Sequence, residues 1–592
     1  MSSTAPEPAA TPNGSRTPKK LRRMSRSRSS SRTRAPRPPA NDRQRSLVLV
    51  LRFLVSSPEY GAIRKHIFRK IPAIKNAMPS HSQFHNVLVD ADPDDYLPSA
   101  TRAGLRAMVT MNVTLNLYQL LVQKLKSRGA IGAKRSTPVK NAFFSRPNFM
   151  ASLSLGVLII IHRVLYRFLH QLRTNLMLPE AKDFRTKYPR AAKVFLSPYS
   201  PSITASLAGF ALLLHPKTDL RQTIAVYTLV KAAEYWYNRF EDKGYFVDKP
   251  WWFGSWLLFP ITSGQLFYSF VFDRDCFPTE FAPLYTRFTP EYIQPRPVDY
   301  PSNLPWPAPL EIVDSLGKIA DLKFPSFSSP ILYPDVNKLP SAVAAISPIV
   351  SPAHPTIKSL QCALMHPSEP SCLKTYIHYW ATEAPRIGKL LLAIYTLIRI
   401  PRIRSQLQSP LKSLATLGES TTRTTLLLTG ALGTPFALLC LFSTLLPHRL
   451  LPRSRFFLAG GISGLFAFLD RHNSRGNFLY SFRVFLVSAW KLAVKKNLVK
   501  PVKNGDVWVF VIALAAINAA YEREMESVSG GGMRKVLSSL RGLGWRDLVK
   551  ERREREERVK EAVERNAEKK RMADGGEEAE KEVEKEEDKK ED

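Results

Sequence analysis

Residues 456–470 read FFLAGGISGLFAFLD, and residues 201–214 read PSITASLAGFALLL. Both runs carry the triplet Leu-Ala-Gly, at 458–460 and at 207–209, and both are shorter than the roughly 20 apolar residues of an ordinary membrane span. In each case a polar turn, a helix that contains aromatic residues, a basic turn and a last apolar block follow in the same order. This order predicts two related groups of membrane helices.

Other apolar blocks complete the two groups. A longer block precedes each Leu-Ala-Gly run, and a short apolar segment at 387–400 precedes the second group. The fold class predicted is therefore all-α, a polytopic membrane helical bundle made of two repeats of about four spans each. The predicted spans lie at 148–169, 201–214, 222–240 and 251–272, and at 424–447, 455–470, 478–494 and 507–521.

The net charge of +36 over 592 residues is carried by the body and the N-terminus of the chain. Residues 550–592 hold 14 Lys and Arg against 18 Asp and Glu, so the excess of cations lies before them. Such an excess suits an anionic membrane surface or the loops that flank spans. Residues 1–45 are rich in Ser, Arg and Pro and predict disorder, as a solvated basic tail, a mitochondrial presequence or an RNA-binding segment.

Composition also sets the domain boundaries. Residues 278–370 contain 18 prolines, which predicts an extended linker rather than helices. The chain divides into a disordered basic tail at 1–45, a soluble or interfacial helical region at 46–147, a first membrane repeat at 148–272, a Pro-rich linker with a Cys/His motif at 273–384, a second membrane repeat with a preceding short helix at 385–521, and a charged tail at 522–592.

Small residues four positions apart occur in both short runs. Ala205 with Gly209 and Gly460 with Gly464 would let two helix backbones approach closely, although such pairs are also frequent in any apolar segment. We expect Gly460 and Gly464 to contact another helix of the bundle and Phe456 to face lipid.

Ionisable residues within the apolar blocks are candidates for a role inside the membrane. Lys231 and Glu234 are three residues apart on one predicted helix and can form an ion pair, and Arg483 lies in the corresponding helix of the second group. These side chains either line a polar passage or reach to the membrane interface.

The second half resembles a known family. The resemblance is carried by CALMHPSEPSCLKTYIHYW at 362–380, LLLAIYTLIRIPRI at 390–403, the stretch from Phe456 to Lys491, and GDVWVFVIALAAINAA at 505–520. These residues resemble the transmembrane protein 135 family, also called peroxisomal membrane protein 52, whose repeats are similar to the pore-forming subunits of mitochondrial inner-membrane translocases. The resemblance implies a peroxisomal or mitochondrial membrane, a role in fatty-acid and sterol homeostasis and organelle dynamics, and membrane lipids, other membrane proteins or a second copy as partners.

A Cys-x3-His-x5-Cys motif formed by Cys362, His366 and Cys372 lies at the end of the Pro-rich region. It supplies three candidate zinc ligands, with His354 or His378 as a fourth. A disulfide and a plain turn at the membrane surface are the alternatives, and the plain turn with no cofactor is the expectation.

Catalytic motifs are absent from the sequence. It contains no GxxxxGK[ST] loop, no GxSxG elbow and no HExxH helix, and GGISG at 460–464 lies inside an apolar run without the context of a dinucleotide site. We therefore expect a protein that is not an enzyme and acts as a transport or scaffolding component. A translocase-like pore and an RNA-associated membrane protein are the alternatives, and nucleic acid is not an expected partner.

Overall fold

The computed structural model describes residues 42–67, 78–85, 96–129, 145–216, 219–246, 248–333, 339–402 and 408–567. The predictions for most of the basic tail and for the end of the charged tail fall outside these residues. Within them the regular structure is helical, with one isolated β-bridge between Ser326 and Ser359. The predicted all-α class is therefore confirmed for the described residues.

A small unit lies N-terminal to Tyr96. It contains helices α1, Asp42–Leu51, and α2, Ser57–His66. The Tyr60 ring stacks on the Phe84 ring with 4.2 Å between centroids, and the Tyr60 hydroxyl donates a hydrogen bond of 2.7 Å to the Pro79 carbonyl.

The second unit holds the apolar helices of both predicted groups. Its α-helices are α3 Tyr96–Gly129, α4 Arg146–Met177, α5 Lys182–Lys187, α6 Pro189–Leu196, α7 Ser200–Ala205, α8 Asp219–Asp242, α9 Leu258–Phe272, α10 Ala282–Phe288, α11 Pro309–Asp321, α12 Ser347–Val350, α13 Leu360–Met365, α14 Cys372–Arg399, α15 Pro410–Leu445, α16 Ser454–Ser463, α17 Arg475–Lys495, α18 Gly505–Arg523 and α19 Gly531–Leu540, with a further helix over 548–567. Short 3-10 helices lie at Pro179–Ala181, Ser206–Leu214, Ser255–Leu257, Arg274–Cys276, Thr279–Phe281, Ser341–Ile346, Ile400–Arg402, Gly464–Asp470 and Met525–Ser527.

Three described helices, α4, α15 and α18, are long and apolar enough to cross a membrane. They contain the predicted spans at 148–169 and 507–521, and all but the last two residues of the predicted span at 424–447. Their length and composition indicate a membrane protein. The other predicted spans coincide with helices that are shorter or carry more charge, such as the short apolar helix Ser200–Leu214.

The two Leu-Ala-Gly segments share one local structure. In both, an α-helix continues without a break into a 3-10 helix, α7 into Ser206–Leu214 and α16 into Gly464–Asp470. A 3-10 helix rises about 2.0 Å per residue against about 1.5 Å for an α-helix, so the segments reach about 27 Å and about 29 Å. Both lengths approach the hydrocarbon thickness of about 30 Å despite the small number of residues.

The two groups of helices pack crosswise. The first Leu-Ala-Gly segment, formed by α7 and Ser206–Leu214, packs against α4 of its own group and α18 of the other group. The second segment, formed by α16 and Gly464–Asp470, packs against α15 of its own group and α9 of the other group. Likewise α8 packs on α18, α17 packs on α9, and α8 meets α17. A long helix also precedes each group, since α3 packs on α4 and α14 packs on α15.

Glycines let the crossing helices touch backbone to backbone. A Cβ atom added at Gly460 would lie 2.7 Å from the Ser263 carbonyl oxygen, and one at Gly464 would lie 2.5 Å from the Pro260 Cα. Both contacts are on α9 or at its start, so these glycines occupy a helix–helix contact of the kind their spacing predicts.

The first group uses its small residues in the same way. A Cβ atom at Gly209 would lie 2.9 Å from a Val511 methyl group of α18, and Ala205 is completely buried. Phe456, in contrast, does not face outward as expected. It is completely buried and packs on Phe267 and Phe272, because the helix turns that face toward α9.

The prediction of an extended Pro-rich linker is wrong for its described part. Helices α10 to α13 lie within it, and their apolar side chains join one core with α9, α14 and α15. Prolines permit these helices because they occupy first or second helical positions, where no backbone donor is lost. Examples are Pro283 in α10, Pro309 in α11 and Pro348 in α12.

The segment after α18 is also more than a charged tail. Val528, Leu537 and Leu540 are buried against α18 and its neighbours. Arg541 and Asp547 are buried as well. The amphipathic α19 therefore belongs to the bundle, and its short apolar stripe explains why composition alone missed it.

The glycine contact between α16 and α9 yields the first prediction. Gly460→Ala and Gly464→Ala should each lower the free energy of unfolding by about 1–3 kcal/mol, because the new methyl group forces two backbones apart. Gly461→Ala is the matched control, since its nearest neighbour would be the Pro260 carbonyl oxygen at 3.7 Å. Thermal unfolding in mild detergent measures the effect, and equal stability of Gly464→Ala and Gly461→Ala would contradict the contact.

Candidate functional site

Three of the four cysteines in the chain converge on one histidine. Cys362 lies in α13, His366 follows that helix directly, Cys372 begins α14, and Cys440 lies in α15. The four ligand atoms are all within 4.8 Å of one another. We refer to these four residues as the Cys/His cluster.

The position of the cluster follows from the local folding of the chain. The peptide after α13 turns back at Pro367, whose carbonyl oxygen accepts a hydrogen bond of 2.8 Å from the His354 backbone N–H. Ser371 then caps α14 by accepting a hydrogen bond of 3.3 Å from the Lys374 backbone N–H. This turn returns the chain to α15, so Cys372 comes close to Cys440.

Hydrogen bonding fixes the orientation of the His366 ring. Its Nδ1–H donates to the Glu369 carbonyl oxygen at 2.7 Å, and its Nε2 lies 3.5 Å from the Cys440 sulfur. The Nε2 atom therefore points into the group of sulfur atoms. Metal-binding histidines are commonly held in this way, with the second ring nitrogen donating to a backbone carbonyl.

The cluster is shielded from solvent. Cys440 is completely buried, Cys362 and His366 are nearly so, and Cys372 is half-buried. Hydrogen bonds with Cys362, Cys440 and His366 hold the pKa of the Cys372 thiol well below its usual range. Burial lowers the pKa of His366, but its hydrogen bonds with Cys362 and Cys372 outweigh burial and raise that pKa to about 10.

The fourth member of the cluster is not one of the two expected histidines. The His354 ring is half-buried and lies 2.8 Å from the Thr356 hydroxyl. The His378 ring points outward and lies 3.5 Å from the Glu291 carboxylate. Cys440 takes their place, because α15 packs along α14 and brings its C-terminal part beside Cys372.

The polar residues predicted within the bundle line the interface between α8 and α17. The Lys231 ammonium is 2.7 Å from the Glu234 carboxylate, which lies 3.8 Å from Arg475. The Arg483 guanidinium covers the Tyr227 ring at 4.2 Å. Further along, Lys491 lies 3.6 Å from Asp219. We call this row of residues, Asp219, Tyr227, Lys231 and Glu234 on α8 with Arg475, Arg483 and Lys491 on α17, the polar seam.

A second polar cluster, which the sequence did not reveal, links the first group to the end of the chain. The Asn518 amide of α18 donates to the Ser206 hydroxyl at 2.8 Å and to His162 Nε2 at 3.1 Å. The His162 Nδ1 lies 3.2 Å from the Leu540 carbonyl oxygen. Nearby, Arg541 pairs with Glu522 at 2.9 Å. His162 was identifiable as an ionisable residue in an apolar helix, but its partners are distant in sequence.

Comparisons with known proteins return no match, since no family model, no curated protein and no solved structure is similar to this chain.

The buried Asn518 yields the second prediction. Asn518→Leu should lower the free energy of unfolding by about 1–3 kcal/mol, because it removes the amide donor from the buried His162 Nε2 and from the Ser206 hydroxyl oxygen. The matched control is Asn175→Leu, which adds the same apolar bulk at an exposed position of α4. Thermal unfolding in detergent measures the difference, and a variant as stable as the control would show that the network contributes little.

Proposed function

We propose that this chain is an integral membrane protein of the peroxisome or mitochondrion that acts in fatty-acid and sterol homeostasis and organelle dynamics. In this proposal it is a transport or scaffolding component without an enzymatic centre. The organelle and the lipid class come from the resemblance of its second half to the transmembrane protein 135 family. The polar seam is the observation that carries the transport role.

The proposed architecture has two repeats of four spans. The crosswise packing supports it, because each helix contact made by one group has a counterpart in the other. The 3-10 extensions support it as well, since they bring both short segments close to the thickness of a bilayer. A shared ancestry of the two groups would account for both features.

The outward faces of the short segments are suited to lipid. Leu207 and Leu213 of the first segment are about half exposed, as are Ile462, Leu465 and Leu469 of the second. In water such apolar faces would promote aggregation, whereas lipid tails are a favourable environment for them.

The polar seam runs along most of the length of α8. Its contacts link Asp219 with Lys491, Tyr227 with Arg483, and Glu234 with Arg475, so the two helices are antiparallel. Several of these side chains retain exposure to the outside of the bundle, including Lys491 and Arg475, with side-chain exposures of 37% and 43%. Charged groups within a membrane bundle are costly, and they mark the path of polar ligands.

The charge of the seam favours one class of ligand. Four cations, Lys231, Arg475, Arg483 and Lys491, face two anions, Asp219 and Glu234. The excess of positive charge favours the carboxylate or phosphate of an amphipathic lipid, whose tail would remain in the bilayer. It disfavours a cationic polypeptide segment.

A translocase-like pore component is the second candidate. The observation that favours it is the backbone contact of short glycine-containing helices, Gly264 and Gly460 in particular, because tight packing of this kind resembles the translocase subunits. Movement of a polypeptide rather than a lipid by the reconstituted protein would favour this candidate.

The seam yields the third prediction. In liposomes that contain the purified chain, Arg483→Gln and Lys491→Gln should reduce transfer of a fluorescent fatty acid about tenfold, since a hydrogen bond to a charged group contributes about 1.5–3 kcal/mol. Lys318→Gln, at an exposed position of α11, is the control. Equal transfer by all three variants and the wild type would exclude the seam as the lipid path.

Membrane integration yields the fourth prediction. The chain should stay in the membrane pellet after alkaline carbonate treatment and dissolve only in detergent, because exposure of its apolar helices to water is unfavourable. Fractionation of the same cells should place it with peroxisomal or mitochondrial markers. Release by carbonate would contradict integration, and enrichment in any other membrane would contradict the proposed organelle.

A further inference from the structure

We propose that Cys362, His366, Cys372 and Cys440 bind one zinc ion, and that this ion fastens the Pro-rich segment to the membrane helix α15. The proposal is independent of the transport role, because it concerns the assembly of the core at one end of the bundle. It rests on the convergence of four soft ligands, on their spacing and on the orientation of His366.

The separations of the ligand atoms fit a tetrahedral ion. With Zn–S of about 2.3 Å and Zn–N of about 2.0–2.1 Å, tetrahedral geometry places sulfur about 3.8 Å from sulfur and about 3.6 Å from nitrogen. The distance from Cys440 Sγ to His366 Nε2 is 3.5 Å, and no pair in the cluster exceeds 4.8 Å. A small shift of the sulfur atoms toward the ion would bring all four ligands to coordination distance.

The chemistry of the ligands selects zinc over hard cations. Three thiolates and one imidazole form a Cys3His set, which is one of the common structural zinc sites.

A disulfide explains fewer of the observations. It would join two sulfur atoms and leave the third, together with His366, without a role. All four cysteines are free thiols in the structure. The His366 ring, fixed by its bond to the Glu369 carbonyl oxygen, points Nε2 at sulfur, which a disulfide does not require.

The role of the ion would be structural. All four coordination positions would be filled by protein side chains, and three of the four ligands are buried, so no open position would remain for a substrate or a reactive water molecule. The ligands come from three helices and one turn, and the core around them includes Leu364 and Leu439. The ion would therefore hold the Pro-rich segment against α15.

The experiment is zinc analysis of the full-length chain, purified in detergent without chelators. We expect about one zinc per chain in the wild type and in Cys276→Ser, and about a tenfold lower content in Cys440→Ser and His366→Ala. Cys276 is the matched control because it is buried, is a free thiol and lies outside the cluster. Zinc retained in both cluster variants would overturn the assignment.

A second measurement on the wild type covers the case in which a cluster variant fails to fold. Cobalt exchanged into the site should give the visible absorption of a tetrahedral ion with sulfur ligands, and a chelator should abolish it and expose the Pro-rich segment to protease. A wild type with no bound zinc and with two of its four thiols unreactive before reduction would show a disulfide instead and overturn the proposal.

Discussion

The bundle depends on backbone contact between two short helices from different halves of the chain. In lipid, burial of apolar side chains supplies little net attraction between helices, so dispersion contact and interhelical hydrogen bonds must hold them together. Gly264, Gly460 and Gly464 supply that contact between α9 and α16. Because α16 also packs on α15, and α9 on α17, this crossing links the two groups of helices, together with the contacts of α8 with α17 and α18.

The sequence predicted the three long apolar helices, because a long apolar run is a local pattern. The predicted spans at 148–169 and 507–521 lie inside α4 and α18, and all but the last two residues of the span at 424–447 lie inside α15. A side chain on Gly460 or Gly464 would collide with a neighbouring backbone. The 3-10 extensions could not be predicted from composition, because the same apolar residues can form an α-helix or a 3-10 helix. The outward orientation that the sequence predicts for Phe456 is wrong for a related reason. In a segment that is apolar all round, the side that packs is set by its neighbours.

Other features depended on contacts that are distant in sequence. The count of prolines suggested an extended linker, yet their placement at the starts of helices, as at Pro309, allows a folded core. Cys440 joins the Cys/His cluster from an apolar helix in which a cysteine resembles any small core residue. The short apolar stripe of α19 was hidden among charged neighbours, although Leu537 and Leu540 are buried.

One continuous core joins the glycine crossing to the Cys/His cluster. The side chains of Phe267 and Phe456, beside the crossing, belong to the same buried group as Cys362 and Cys440. The Pro-rich segment thus extends the core formed by the membrane helices. A substitution at the glycine crossing or at the Cys/His cluster would disturb the same packed side chains. A bound ion would restrain α15 at one end of this core, and the glycine contact restrains α16 along its length. The polar seam lies apart from this core, between α8 and α17, where the packing leaves charged side chains partly exposed. A rigid core beside a more open, charged interface is the arrangement that lets a membrane protein present a polar surface without losing its fold.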